Sequence, residues 1–157
     1  MAHKILYVED NMDNMILVRR ALEARGYEFI WAQNGSSGVE LAESNMPDVI
    51  LLDINLPDID GYEVARRLRN SGKSTLVYVP IIAVTALAMI GDRERVLAAG
   101  FDGYISKPFE VMSIGEEISS LIAAHKARQA AVQPEGTMVT QLRTEPVEWS
   151  KIPHEIQ

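Results

Sequence analysis

The stretch Val49-Ile50-Leu51-Leu52-Asp53-Ile54-Asn55-Leu56-Pro57 decides the fold. Its first four residues are apolar without alternation, so both faces of the strand they form are covered, as in a parallel sheet held between two helical layers. Ile5-Leu6-Tyr7-Val8 and Pro80-Ile81-Ile82-Ala83-Val84 repeat that character. Glu28-Phe29-Ile30-Trp31 and, more weakly, Tyr104-Ile105 complete a set of strands separated by helical patterns. Asp60 and Glu63 have capping-box spacing ahead of Val64 and Leu68, and Ser37 and Glu40 repeat it ahead of Leu41. Met15, Val18 and Leu22 give the first helix its apolar stripe. Val111, Ile114, Ile118, Leu121 and Ile122 do the same for the last, with Glu116 and Glu117 on its outer face. The segment Ala88–Ala99 is the weakest helix, because Gly91 interrupts it and Asp92–Arg95 is polar. Strand and helix thus alternate along the chain, and right-handed crossovers make the prediction a doubly wound α/β sandwich.

Composition narrows the function. The chain has 157 residues, 47% of them hydrophobic, with 15 Lys+Arg against 22 Asp+Glu and a net charge of −7. An acidic surface argues against sequence-independent nucleic-acid binding and against an anionic membrane. The absence of cysteine removes disulfides, thiol catalysis and Cys-based zinc sites. The longest nearly apolar run, Val77 to Ile90, falls short of the ~20 residues of a spanning helix. The N-terminus lacks a signal-peptide pattern, so a cytoplasmic location is expected. Composition shifts near residue 127. Residues 1–127 read as one domain that carries most of the acidity, and residues 128–157, with Pro134, Pro146 and Pro153, as a tail. A flexible extension is the expectation for this tail, and docking of Trp149 on the body or a partner is the alternative.

A parallel α/β sheet presents its ligand site beyond the carboxyl ends of its strands. The first strand ends at Glu9-Asp10, the third at Asp53, the fourth at Thr85, and the fifth runs through Ser106 into Lys107. Alone, Asp10 reads as a turn residue or helix cap, Thr85 as a β-branched strand residue and Lys107 as a loop lysine. Together they deliver carboxylates, a hydroxyl and an ammonium to one rim. Clustered carboxylates repel and raise each other's pKa, which a hard divalent cation such as Mg²⁺ would offset. An Asp carboxylate can itself attack phosphorus, while a lysine, a hydroxyl and the metal neutralise the equatorial oxygens. Asp53, ending the central and most apolar strand, is the expected nucleophile.

These residues resemble the receiver domain of two-component response regulators. The resemblance is carried by Val8-Glu9-Asp10-Asn11, Asp53 through Gly61, Val84-Thr85-Ala86 and Tyr104-Ile105-Ser106-Lys107-Pro108-Phe109, and it spans residues 4 to about 125. It implies a flavodoxin-like (βα)5 sandwich with strand order 2-1-3-4-5. It implies Asp53 as phosphoacceptor, and a Mg²⁺ site of Glu9, Asp10, Asp53 and the Asn55 carbonyl. Thr85 and Tyr104 would form the switch, Lys107 would pair with the phosphoryl group, and the Lys107–Pro108 peptide would be cis. Asn55 and Leu87 fall where family members tune dephosphorylation. Asn11-Met12-Asp13-Asn14 and Ala83-Val84-Thr85-Ala86-Leu87-Ala88-Met89 look like DivK-type regulators and receivers of hybrid kinases.

The implied function is a single-domain regulator that takes a phosphoryl group from a histidine kinase or histidine phosphotransfer protein and signals to a downstream protein, with no nucleic-acid or membrane partner. Residues 128–157 are too short for a DNA-binding output domain. Onward relay to a second histidine, or an interaction module that is never phosphorylated, are the alternatives within the family. A flavodoxin-type FMN carrier would need a phosphate loop where Glu9-Asp10 stands, and a dehalogenase-type hydrolase a second Asp where Asn55 stands.

Overall fold

A computed structural model describes residues 3–86, 92–110 and 112–132. The element order is β1 (Lys4–Val8), α1 (Met12–Glu23), β2 (Glu28–Ala32), α2 (Gly35–Asn45), β3 (Val49–Asp53), α3 (Gly61–Arg69), α4 (Ser74–Tyr78), β4 (Ile81–Thr85), α5 (Asp92–Ala98), β5 (Gly103–Ser106) and α6 (Ile114–Val132). All strand pairs are parallel and the sheet order is β2-β1-β3-β4-β5, as the resemblance implies.

The two-residue period of a strand explains the unbroken apolar runs, since successive side chains feed opposite layers. Leu6, Val8, Ile50, Leu52, Ile81 and Ala83 face one way, onto Ala42 of α2, Val64 and Leu68 of α3, Leu76 of α4 and Val96 of α5. Ile5, Tyr7, Val49, Leu51, Ile82 and Val84 face the other, onto Val18 and Leu22 of α1 and Ile114, Ile118 and Ile122 of α6. The stripes expected on the first and last helices are therefore the faces they bury. Val111 of the last stripe lies outside the described residues.

Three local readings are revised. The cap of α2 is Asn34, not Ser37. The Asn34 side chain accepts from the Ser37 N–H at 2.8 Å, and the Gly35 and Ser36 N–H groups are already taken by the Asp58 carboxylate at 2.7 and 2.9 Å. With those first-turn donors satisfied upstream, Ser37 lies inside the helix. At α3 the Asp60 side chain does cap, accepting from Glu63 N–H at 2.9 Å, but the Glu63 carboxylate turns to Arg66 and Arg67 instead of closing the box. A third difference is α4, a short helix the sequence reading did not include, which holds Val77 and Tyr78 of the long apolar run. The helix read at Ala88–Ala99 is seen as α5 from Asp92, its first residues lying outside the described set.

Arg69, at the end of α3, fixes this half of the molecule. Its guanidinium donates to the carbonyls of Val77 in α4 and of Val79 just after it (2.9 and 2.6 Å), to the Gly100 carbonyl (2.8 Å) and to the Asp102 carboxylate (3.0 Å). Asp102 in turn accepts from the Ile81 N–H at 2.9 Å, which anchors the start of β4.

Gly61 opens α3 directly behind the strand end of Asp53. A β-carbon there would sit 2.6 Å from the Asp53 carbonyl oxygen and 2.8 Å from the Ile54 Cα, both of them backbone with no side chain to yield. Gly61→Ala should lower the unfolding free energy by roughly 1–3 kcal/mol, read as a lower urea midpoint at unchanged slope.

Candidate functional site

Parallel register brings the polar strand ends to one rim. Val8 lies beside Leu52, Asp53 beside Val84 and Thr85 beside Ser106, so the residues that follow β1 and β5 flank the end of β3. The loop after β1 is tied down by Glu9 N–H to the Ala32 carbonyl (2.9 Å) and by the Trp31 indole N–H to the Glu9 carbonyl (2.7 Å). Asn11 then caps α1, accepting from Asn14 N–H at 2.9 Å, and its own N–H donates to Glu9 Oε2 at 3.2 Å.

Glu9, Asp53 and Thr85 are the buried polar residues of the described core, and Asp10 stands exposed beside them. Ligand oxygens of Glu9, Asp10 and Asp53 all lie within 4.8 Å of one another. Lys107 Nζ bridges two of them, 3.0 Å from Glu9 Oε1 and 3.0 Å from Asp53 Oδ2. The other Asp53 oxygen accepts from the Asn55 N–H at 3.1 Å. Lys107 is held in turn by its own N–H, 2.8 Å from the Thr85 carbonyl, and the Lys107–Pro108 peptide is cis. Thr85 lines a cleft of about 210 Å³ with Ile54, Asn55, Asp60, Tyr62, Arg95 and Val96, where the Arg95 guanidinium lies 5.3 Å over the Tyr62 ring. Tyr104 is half-buried on β5 and packs against the layer that holds Leu6 and Leu52. Leu87 and the tail with Trp149 fall outside the described residues.

Electrostatics separates the two buried carboxylates. Burial first, and then the charge of Glu9, pushes Asp53 up to about 6 despite Lys107. Burial acts on Glu9 in the same sense, but the hydroxyl of Tyr7 and the ammonium of Lys107 outweigh it and hold Glu9 below its usual range. Burial would lower Lys107, yet its two carboxylate partners raise it, so it stays charged. Asp53 is thus a carboxylate with more negative charge around it than one lysine offsets. Hard oxygen donors at this spacing fit a small divalent cation.

Sequence reasoning missed Tyr7 and Trp31 as supports of this corner. Tyr7 donates its hydroxyl to Glu9 Oε1 at 2.7 Å. The available signal was a tyrosine in an aliphatic strand, whose buried hydroxyl needs a partner, with a carboxylate two residues on and therefore on the same face.

Known proteins resemble this chain over most of its length. The model of the response regulator receiver domain matches residues 5–119. The polar-differentiation response regulator DivK of Brucella anthropi is 44% identical over 122 residues, covering 78% of this chain and 98% of that protein. The receiver domain of sensor histidine kinase PA1611 from Pseudomonas aeruginosa, solved with a magnesium ion coordinated in its active-site cleft, is 36% identical, with a TM-score of 0.69 and coverage of 78% and 99%. The chemotaxis protein CheY4 of Vibrio cholerae is 26% identical, with a TM-score of 0.71 and coverage of 77% and 99%. A family match over most of the chain and relatives of more than 40% identity agree, and the chain belongs to the family of response regulator receiver domains.

Proposed function

We propose that this protein is a DivK-like response regulator that accepts a phosphoryl group on Asp53 from the phosphohistidine of a kinase or histidine phosphotransfer protein, and passes the signal on by protein contact. The carrying observation is the Asp53 carboxylate, buried at the sheet's rim between Lys107 and the Asn55 N–H with Glu9 and Asp10 beside it. One Asp53 oxygen attacks phosphorus while the P–N bond breaks and its electron pair leaves with the imidazole nitrogen. Glu9, Asp10, Asp53 and the Asn55 carbonyl would hold Mg²⁺, which when bound supplies positive charge to the transferring oxygens. Lys107 neutralises a further oxygen, and its bond to the Thr85 carbonyl joins it to the strand that carries the switch hydroxyl. Thr85 and Tyr104 then report the added charge to the face formed by α5, β5 and α6. The protein acts on its own Asp53 and on no separate substrate. Among the described residues no helix is long and apolar enough to cross a membrane, and we place the protein in the cytoplasm with its kinase.

Acetyl phosphate with Mg²⁺ tests the proposal. Intact mass should rise by one phosphoryl group, and EDTA should prevent it. Trp31, bonded to the Glu9 carbonyl, gives an independent reading. In a Trp149→Phe background, Mg²⁺ should change Trp31 emission saturably and EDTA should reverse the change. An unchanged emission together with an unchanged mass would sink the reading.

A further inference from the structure

Tyr7 is fully buried, its ring edge-on to Phe29 at 6.4 Å between centroids. In that apolar layer its hydroxyl reaches Glu9 Oε1 at 2.7 Å. Glu9 is itself fully buried, and its described donors are Tyr7 and Lys107 on Oε1 and the Asn11 N–H on Oε2.

Lys107 divides its ammonium between Glu9 and Asp53. Negative charge arriving on Asp53 strengthens that side and draws Lys107 toward it. Without Tyr7, a buried carboxylate would then keep one backbone N–H, and an incompletely paired buried charge is costly. We infer that Tyr7 is a positioning residue that keeps the Glu9 carboxylate bonded and fixed in place while Lys107 exchanges Glu9 for the phosphoryl group. This inference rests on the receiver reading and adds to it a residue that touches neither phosphate nor metal. It also accounts for a glutamate at position 9: the strand places both side chains on one face, and the extra methylene brings the carboxylate to the hydroxyl.

The test is the affinity for beryllofluoride, a phosphoryl mimic, at saturating Mg²⁺, followed by ¹⁹F NMR on the full chain. Tyr7→Phe keeps the ring and removes only the donor, and should weaken beryllofluoride roughly tenfold or more, the scale of one hydrogen bond to a charged group. In a Glu9→Asp background, where the shorter carboxylate stops short of the hydroxyl, the same change should alter affinity less than about twofold, because there is no bond left to lose. A Tyr7→Phe affinity within about twofold of the parent overturns the inference. So does an equal loss in both backgrounds, which would assign the effect to packing. A parent protein that binds no beryllofluoride fails the receiver reading instead, and takes this inference with it. If Tyr7→Phe does not fold, the parent's Tyr7 hydroxyl proton decides. It should be protected from exchange with and without beryllofluoride, and loss of protection in the bound form overturns the inference.

Discussion

Asp53→Asn should abolish acetyl phosphate labelling to the detection limit and, without metal, make the protein more stable. The first effect follows from removing the attacking oxygen. The second follows from the cost of burying that charge. Asp53 is pushed up to about 6 in the folded protein, first by burial and then by Glu9, against ~3.9 in an unfolded chain. The two carboxylates titrate as a pair, with the upper step on Asp53. Below about pH 4 the group is protonated in both states and costs nothing. Between about pH 4 and 6 the folded state holds the proton that the unfolded state has lost, so metal-free stability falls as pH rises. Above about 6 the penalty is complete, on the order of 2–3 kcal/mol with the stabilisation by Lys107 already included. The variant lacks this slope. In EDTA its Tm should exceed the parent's by roughly 5–10 °C at pH 7.5, and the gap should shrink to roughly a third of that at pH 4.5. Saturating Mg²⁺ should reverse the order, since only the parent presents the full set of carboxylates. Equal Tm differences at pH 4.5 and 7.5 would refute the assignment of the raised group to Asp53.

Lys107→Met should have the largest effect on the fold. It removes the cation that lies 3.0 Å from both Glu9 Oε1 and Asp53 Oδ2, and leaves two buried carboxylates facing each other. Breaking a buried pair from one side costs roughly 3–5 kcal/mol, so Tm in EDTA at neutral pH should fall by roughly 10 °C. Two conditions should return much of that loss: Mg²⁺, which substitutes one cation for another, and acid, which neutralises a carboxylate. Labelling by acetyl phosphate should fall roughly tenfold or more even at saturating Mg²⁺, because an oxygen of the transferring group loses its donor. A loss of Tm that neither Mg²⁺ nor acid reduces would show that Lys107 matters through its aliphatic stem, not its charge.

How much was legible depends on where each instruction lies along the chain. β1, β3 and β4 announce themselves because both faces are buried, and even β2, an edge strand with Glu28 exposed, keeps enough apolar character to be read. Glu9, Asp10, Asp53 and Lys107 were placed together by one topological rule, that a parallel sheet gathers its strand ends. What escaped is held from a distance. α4 is five residues long and has no side-chain cap bond of its own, so no periodicity can mark it; Arg69 reaches it from α3. The Ser37–Glu40 spacing was correct as a pattern and lost to Asn34, because a second loop supplies Asp58 to the same turn. Tyr7 was read as one more apolar residue of a strand. Its hydroxyl, six atoms from the backbone in an aliphatic layer, was the overlooked clue.

The contact between Asp58 and α2 has a consequence for selectivity. The amino end of a helix, with free N–H groups and the positive end of its dipole, is where α/β proteins commonly seat a phosphate. Here Gly35 and Ser36 give those N–H groups to Asp58, whose carboxylate is held well below its usual range because the hydrogen bonds from α2 outweigh its slight desolvation. An intramolecular carboxylate is present at high effective concentration, and a dissolved anion must displace it to bind. Asp58 thus acts as a built-in competitor for anions at that helix end. A dissolved phosphate would have to displace the Asp58 carboxylate to reach the Gly35 and Ser36 N–H groups at that end of α2.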